Sequence, residues 1–139
     1  MIAIGCDHGG FALKKVIIEY LESEGYTYRD FGTHSEQSVD YPDIATKLCK
    51  GILNGDNELG ILVCGTGIGI SITANKFKGV RAALCSDCFS AEATRLHNDA
   101  NILAMGGRIV GPGLALMIVD KFLENNLIKS SADLYKLQV

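Results

Sequence analysis

Residues 59 to 71 read L-G-I-L-V-C-G-T-G-I-G-I-S, and this stretch decides the fold. Leu59 to Val63 form an apolar run of strand length with no polar alternation, the pattern of a central parallel strand covered on both faces. Gly65, Gly67 and Gly69 then interrupt it. Beyond them Ile68, Ile72 and Phe77 recur at a spacing near four, which predicts a helix packed on the sheet. Cys64 therefore stands at a strand-to-helix junction.

The same alternation extends in both directions. Strands are predicted over 2–6, 26–31, 59–64, 80–85 and 101–105, and helices over 10–24, 42–54, 68–77, 89–97 and 112–125. Five β/α units imply an α/β chain with a doubly wound, Rossmann-like, parallel five-stranded sheet and helices on both faces. With 139 residues, 47% of them hydrophobic, and no linker, the expectation is a single domain over 1–139. In the first helix Leu13, Ile17, Tyr20 and Leu21 form one stripe, with Lys14, Lys15, Glu19 and Glu22 off it. The last helix differs, because Leu114 to Val119 (L-A-L-M-I-V) is apolar all round. One sheet face cannot cover it, so a second subunit is expected.

In open α/β sheets ligands gather beyond the carboxyl ends of the strands. Those ends carry Cys6, Asp7 and His8, then Gly32 and Thr33, then Cys64, then Cys85, Ser86 and Asp87, then Gly106, Gly107 and Arg108. An acid, an imidazole, a thiol, a glycine nest and a guanidinium are thus expected on one rim. Gly65, Gly67 and Gly69 let successive N–H groups converge on an oxyanion or phosphate, and the same field favours a thiolate. A cysteine ending a buried strand is most often a small core residue, but this rim gives Cys64 chemistry to take part in. Asp7 could hold hydroxyls or simply cap a helix, while His8 and Arg108 suit phosphate.

Familiar alternatives fail on spacing. The dinucleotide fingerprint G-x-G-x-x-G would need glycine where Ile72 stands, and no Gly-Lys-Ser/Thr loop occurs. A phosphatase-type thiol loop would need arginine where Ile70 stands. Cys85 and Cys88 form a lone C-x-x-C, two of the four ligands zinc requires, so no metal is expected. His97 ends a helix that runs back toward the opposite edge of the sheet, out of reach of Cys64 in its own chain. Either it is a surface histidine at a helix C-terminus, or it serves a neighbouring subunit's site. His34, in a polar loop, has no evident partner.

A net charge of -3 gives no basic stripe for nucleic acid or an anionic membrane. Nor does any apolar run approach spanning length. Five cysteines without a secretory signal read as reduced thiols in a cytoplasmic protein. Small molecules are the expected partners.

Together G-C-D-H-G-G (5–10), D-Y-P (40–42), C-G-T-G-I-G-I-S (64–71), A-N-K (74–76), H-N-D-A-N (97–101) and G-G-R-I-V-G (106–111) resemble the type B ribose-5-phosphate isomerases, the family that also contains galactose-6-phosphate isomerase subunits. The likeness covers roughly residues 1 to 124. It implies cofactor-independent interconversion of an aldose phosphate and its ketose, without metal, in homodimers or dimers of dimers with shared sites. It further implies Cys64 as the base and Thr66 with the amides of Gly65, Gly67, Ile68 and Gly69 steadying an enediolate. His97 would open the sugar ring, Asn98 and Asp7 contact hydroxyls, His8 and Arg108 contact phosphate, and Tyr41 line the pocket. Residues 126–139 depart from the family: K-S-S-A-D-L-Y-K at 129–136 replaces a segment with phosphate-holding arginines. Ser131 and Tyr135 fall near those places, and Lys129 or Lys136 would offer point charges without bidentate geometry.

Overall fold

In a computed structural model that describes residues 1–35, 37 and 41–128, the predicted alternation is present element by element. β1 (Ile2–Cys6), a 3₁₀ turn (His8–Gly10), α1 (Phe11–Ser23), β2 (Tyr28–Asp30), α2 (Tyr41–Leu53), β3 (Leu59–Cys64), α3 (Ile68–Ala74), β4 (Ala82–Leu84), α4 (Cys88–Asn98), β5 (Ile102–Gly106) and α5 (Pro112–Leu123) follow one another. All strand pairs are parallel, in the order β2-β1-β3-β5-β4. The chain moves outward from β1 to β2, returns to β3 on β1's other side, and inserts β5 between β3 and β4. β1 and β3 are therefore the switch point, and their carboxyl ends open a crevice there.

Two apolar layers sandwich the sheet. Ile4, Ile61, Leu103 and Met105 face Leu13 and Ile17 of α1, Ala91 of α4, and Ile118 and Phe122 of α5. On the other face Ala3, Leu62 and Ile102 meet Leu48 of α2 and Ile70 of α3. β3 is the spine, paired on both sides with its last five residues buried, as its unbroken apolar run requires. The edge strands β2 and β4 are three residues each, shorter than 26–31 and 80–85, because each has a pairing partner on one side only.

The faces read for two helices, α1 and α3, need correction. Lys14 is on the buried side of α1, 1% exposed, while Tyr20 is partly exposed. The Lys14 ammonium donates to Asp30 Oδ1 at 2.7 Å, Asp30 Oδ2 at 2.9 Å and the Thr33 carbonyl at 2.5 Å, and this paired site is what permits its burial. α3 stops at Ala74 instead of 77 and packs through Ile70 and Ala74, leaving Ile68 and Ile72 51% and 56% exposed. A spacing of four marks a helix face without saying which way it turns. α5 buries Ala115, Ile118, Val119 and Phe122 and leaves Leu114 and Met117 exposed, the uncovered side anticipated from L-A-L-M-I-V. No helix among the described residues is long and apolar enough to cross a membrane.

Candidate active site

Three loops close on one another where β1, β3 and β5 end. Asp7 follows β1 in extended conformation, 7% exposed, and its Oδ1 accepts from the Gly9 amide at 2.8 Å, capping the turn that carries His8. Asp7 is thus a cap, as its simpler reading held, with acceptor capacity remaining on the carboxylate. After β5, the Gly107 amide donates to the Cys64 carbonyl at 2.7 Å and the Arg108 amide to the Gly65 carbonyl at 3.0 Å. Backbone lies directly on backbone here: a β-carbon on Gly10 would stand 2.4 Å from the Val63 oxygen, and one on Gly107 2.8 Å from the Gly9 oxygen. The loops can approach this closely only as glycine.

Cys64 ends β3 5% exposed, and the Gly67 amide donates to its Sγ at 3.0 Å. Gly67 takes φ +81°, the left-handed region that turns its N–H back toward the sulfur. The sulfur therefore has a directed backbone donor from the turn that opens the seven-residue α3. Next in the loop, Thr66 Oγ1 accepts from the Ile68 amide at 3.2 Å. The Arg108 guanidinium lies against the same turn, since a β-carbon on Gly65 would be 3.4 Å from Nη1. A thiol, a converging amide, a hydroxyl and a cation therefore share a few ångströms of rim.

Other thiols are differently placed. Burial pushes Cys6, Cys49 and Cys85 up to about 11, the condition of core thiols. Asp87 is the N-cap of α4, accepting from the Ser90 amide at 2.6 Å. Among the described residues no group of three or more His, Cys, Asp or Glu is arranged to hold a metal ion.

The rim thus brings together Asp7, His8, Cys64, Gly65, Thr66, Gly67, Ile68, Gly69 and Arg108. It does not bring in His97 or Asn98. α4 starts beyond the carboxyl end of β4 and finishes just before β5 begins, so its last residues sit at the opposite edge of the sheet. Cys64 pairs with Gly106, four steps along β5 from Ile102, about 13 Å of strand. His97 is exposed and lines a shallow groove of about 210 Å³ with Phe89, Glu92 and Leu96. Asn98 borders a separate cavity with Asn75, Arg81 and Thr94. Tyr41 opens α2, but its side chain lies outside the described residues, as do Lys129, Ser131, Tyr135 and Lys136.

The sequence reading missed Lys14. By holding Asp30 and the Thr33 carbonyl it fixes the segment after β2, whose Thr33 amide in turn donates to the Cys6 carbonyl at 2.8 Å. The signal was present: Lys14 stands three and seven residues before the apolar Ile17 and Leu21, one helical stripe.

Comparison with known proteins agrees with this architecture. The Ribose/Galactose Isomerase family pattern matches residues 2–136. Ribose-5-phosphate isomerase B of Escherichia coli K12 is 51% identical over 122 residues, 88% of this chain and 82% of that protein. Solved structures of ribose 5-phosphate isomerases from Thermotoga maritima and Clostridium thermocellum superpose with TM-scores of 0.94 and 0.91 at 45% and 46% identity. They cover 98% and 99% of this chain and 94% and 96% of theirs. Fold, rim and sequence agree, and the chain belongs to the ribose/galactose isomerase family.

Proposed function

We propose that this protein is an aldose-ketose isomerase that interconverts ribose 5-phosphate and ribulose 5-phosphate, with Cys64 as the base. The observation that carries the reading is the Gly67 N–H on Cys64 Sγ at 3.0 Å, with the Arg108 guanidinium against the same turn. It supports a thiolate beside an oxyanion site. In the open-chain aldose, the thiolate takes the proton from C2, and the electron pair moves into the C1–C2 bond while the carbonyl oxygen becomes an enediolate oxygen. The Thr66 hydroxyl and the amides of Gly65 and Gly69 donate to that oxygen, while the Gly67 amide stays on the sulfur. Return of the proton from the thiol to C1, with proton transfer from the O2 hydroxyl to O1, yields the ketose. No net oxidation occurs, so no cofactor is called for. The residual acceptor capacity of Asp7 suits a sugar hydroxyl, and His8 and Arg108 suit the phosphate.

His97 and Asn98 enter this scheme through a second copy of the chain. Their place at the far edge of the sheet supports a site completed across an interface in a homodimer. So do the exposed apolar groups of α4, α5 and the turn before α5: Phe89 is 81% exposed, Met117 59% and Ile109 65%. His97 would then open the sugar ring. The five cysteines are all free thiols, which suits a reducing compartment such as the cytoplasm.

The pentose assignment rests on relatives and structures named for ribose 5-phosphate. The altered stretch at 129–136 gives a six-carbon sugar phosphate a specific claim, since a longer chain displaces the phosphate. The deciding experiment follows the C2 proton of ribose, allose and galactose phosphates into solvent, with wild type and Cys64→Ala. Exchange fastest with ribose 5-phosphate and lost in the variant is expected. A C2 proton retained despite saturable binding would mean a binding module, and near-normal turnover by Cys64→Ala would remove the assigned base.

A further inference from the structure

Away from the rim, a second concavity lies between the edge strand β2 and α2. It encloses about 300 Å³ and is lined by Arg29, Phe31, Lys47, Lys50, Gly51 and Asp56. Arg29 and Phe31, two apart, project to one face of the strand, and Lys47, Lys50 and Gly51 share one face of α2. In a chain with net charge -3, the groove sets three cations against one carboxylate. Among the described residues none of these cations has a carboxylate at ion-pair distance. Arg29 instead lies over the Phe31 ring, 4.9 Å from its centroid.

A second observation lies directly behind the groove wall. Asn57 is 3% exposed, and neither its Oδ1 nor its Nδ2 has a hydrogen-bond partner. A β-carbon on Gly51 would stand 2.9 Å from Asn57 Nδ2 and 2.9 Å from Phe31 Cζ. The unsatisfied amide therefore lies behind Gly51 and the edge of the Phe31 ring, the two residues that line the groove at this point. Leaving a buried amide unpaired is costly, so the wall of the groove here is the part of the packing with least to lose by shifting. Arg29 is in register with Ala3, and Ala3 with Gly60, four residues before Cys64 on the sheet's central strand. The groove is thus separate from the catalytic rim.

We propose that this groove is a second binding site, for a small phosphate-bearing anion. Arg29, Lys47 and Lys50 hold the phosphate oxygens, and Phe31 bounds the apolar side, with the Asn57 amide behind it as a reporter of occupation. Two excess positive charges match a dianion, and the volume is that of a small-molecule site.

The test is an amide NMR titration of the full chain with inorganic pyrophosphate. Saturable shifts are expected at the Phe31 and Gly51 amides and at the Asn57 side-chain NH₂. Any anion bound at the rim reports separately through Gly65 and Gly67, and Arg108→Ala should abolish that set alone. Lys47→Gln with Lys50→Gln should weaken the groove set about tenfold or more and leave kcat unchanged. Shifts confined to the rim would overturn the proposal. So would groove shifts that never saturate, or that persist at full strength in the double variant.

Discussion

Replacing Gly67 by alanine separates what the glycine turn does for the fold from what it does for Cys64. Alanine at φ +81° costs about 1–2 kcal/mol for the left-handed backbone. Its β-carbon would stand 2.5 Å from Leu84 Cδ1 and 2.8 Å from the Met105 carbonyl carbon. The exposed leucine can move, but β5 backbone cannot, adding about 1–3 kcal/mol of overpacking. The sum, about 2–5 kcal/mol, lowers the melting temperature by about 10 °C. Relief of the clash would swing the Gly67 N–H off Cys64 Sγ, and a hydrogen bond to a charged group is worth about 1.5–3 kcal/mol, so kcat should fall about 10–10²-fold. Gly79→Ala is the control: its φ is +94° and its β-carbon would meet only Leu53 Cδ2, at 3.0 Å, so it costs about 1–2 kcal/mol without touching the rim. Thermal melts and kcat, measured well below both transitions, give the two effects. If Gly67→Ala keeps kcat within about threefold of Gly79→Ala, the amide does nothing for the sulfur.

Three further outcomes follow from other parts of the molecule. Mixing Cys64→Ala with His97→Ala under proven subunit exchange should restore activity, because some interfaces then hold both intact residues; no recovery would place each site within one chain. Lys14→Met should lose about 2–4 kcal/mol in urea unfolding, below the usual range for breaking a buried pair because Asp30 is 23% exposed, and a loss under about 0.5 kcal/mol would refute the clamp. Cys6, Cys49 and Cys85 are raised from 9.0 to about 11, so the native state keeps protons that the unfolded chain sheds. Their contribution is complete below pH 9 and lost as pH rises toward 11, by about 2–3 kcal/mol per thiol. Urea midpoints in reductant near pH 8 and about pH 10.5 should therefore differ, less so in Cys49→Ala, and equal wild-type midpoints would contradict it.

What the sequence made legible depended on whether local pattern alone determines the outcome. β3 was readable because a central parallel strand must be apolar throughout, and the rim because strand ends fall on one edge in any doubly wound order. Lys14 was misplaced because its pairing depends on Asp30 and Thr33, at the end of another strand, and charge alone argues for exposure. Ile68 and Ile72 had helical spacing but the outward face, since Ile70 and Ala74 offered a second stripe. Likewise Asn57 and Gly51 look unremarkable in the sequence; the groove needs α2 and β2 side by side. His97 was the opposite case, where topology alone places the residue at the far edge.

The strand order also has a consequence for how the chain is made. Among the described residues β4 has β5 as its only strand neighbour and β5 is the last strand, so the fourth strand has nowhere in this sheet to dock until residue 106 has left the ribosome. Until then the outer edge of β3, the most apolar strand, is bare, an invitation to pair with another nascent chain. Assembly of the sheet is consequently delayed until β5 has emerged, and truncation before Ile102 should yield aggregate instead of a smaller folded sheet.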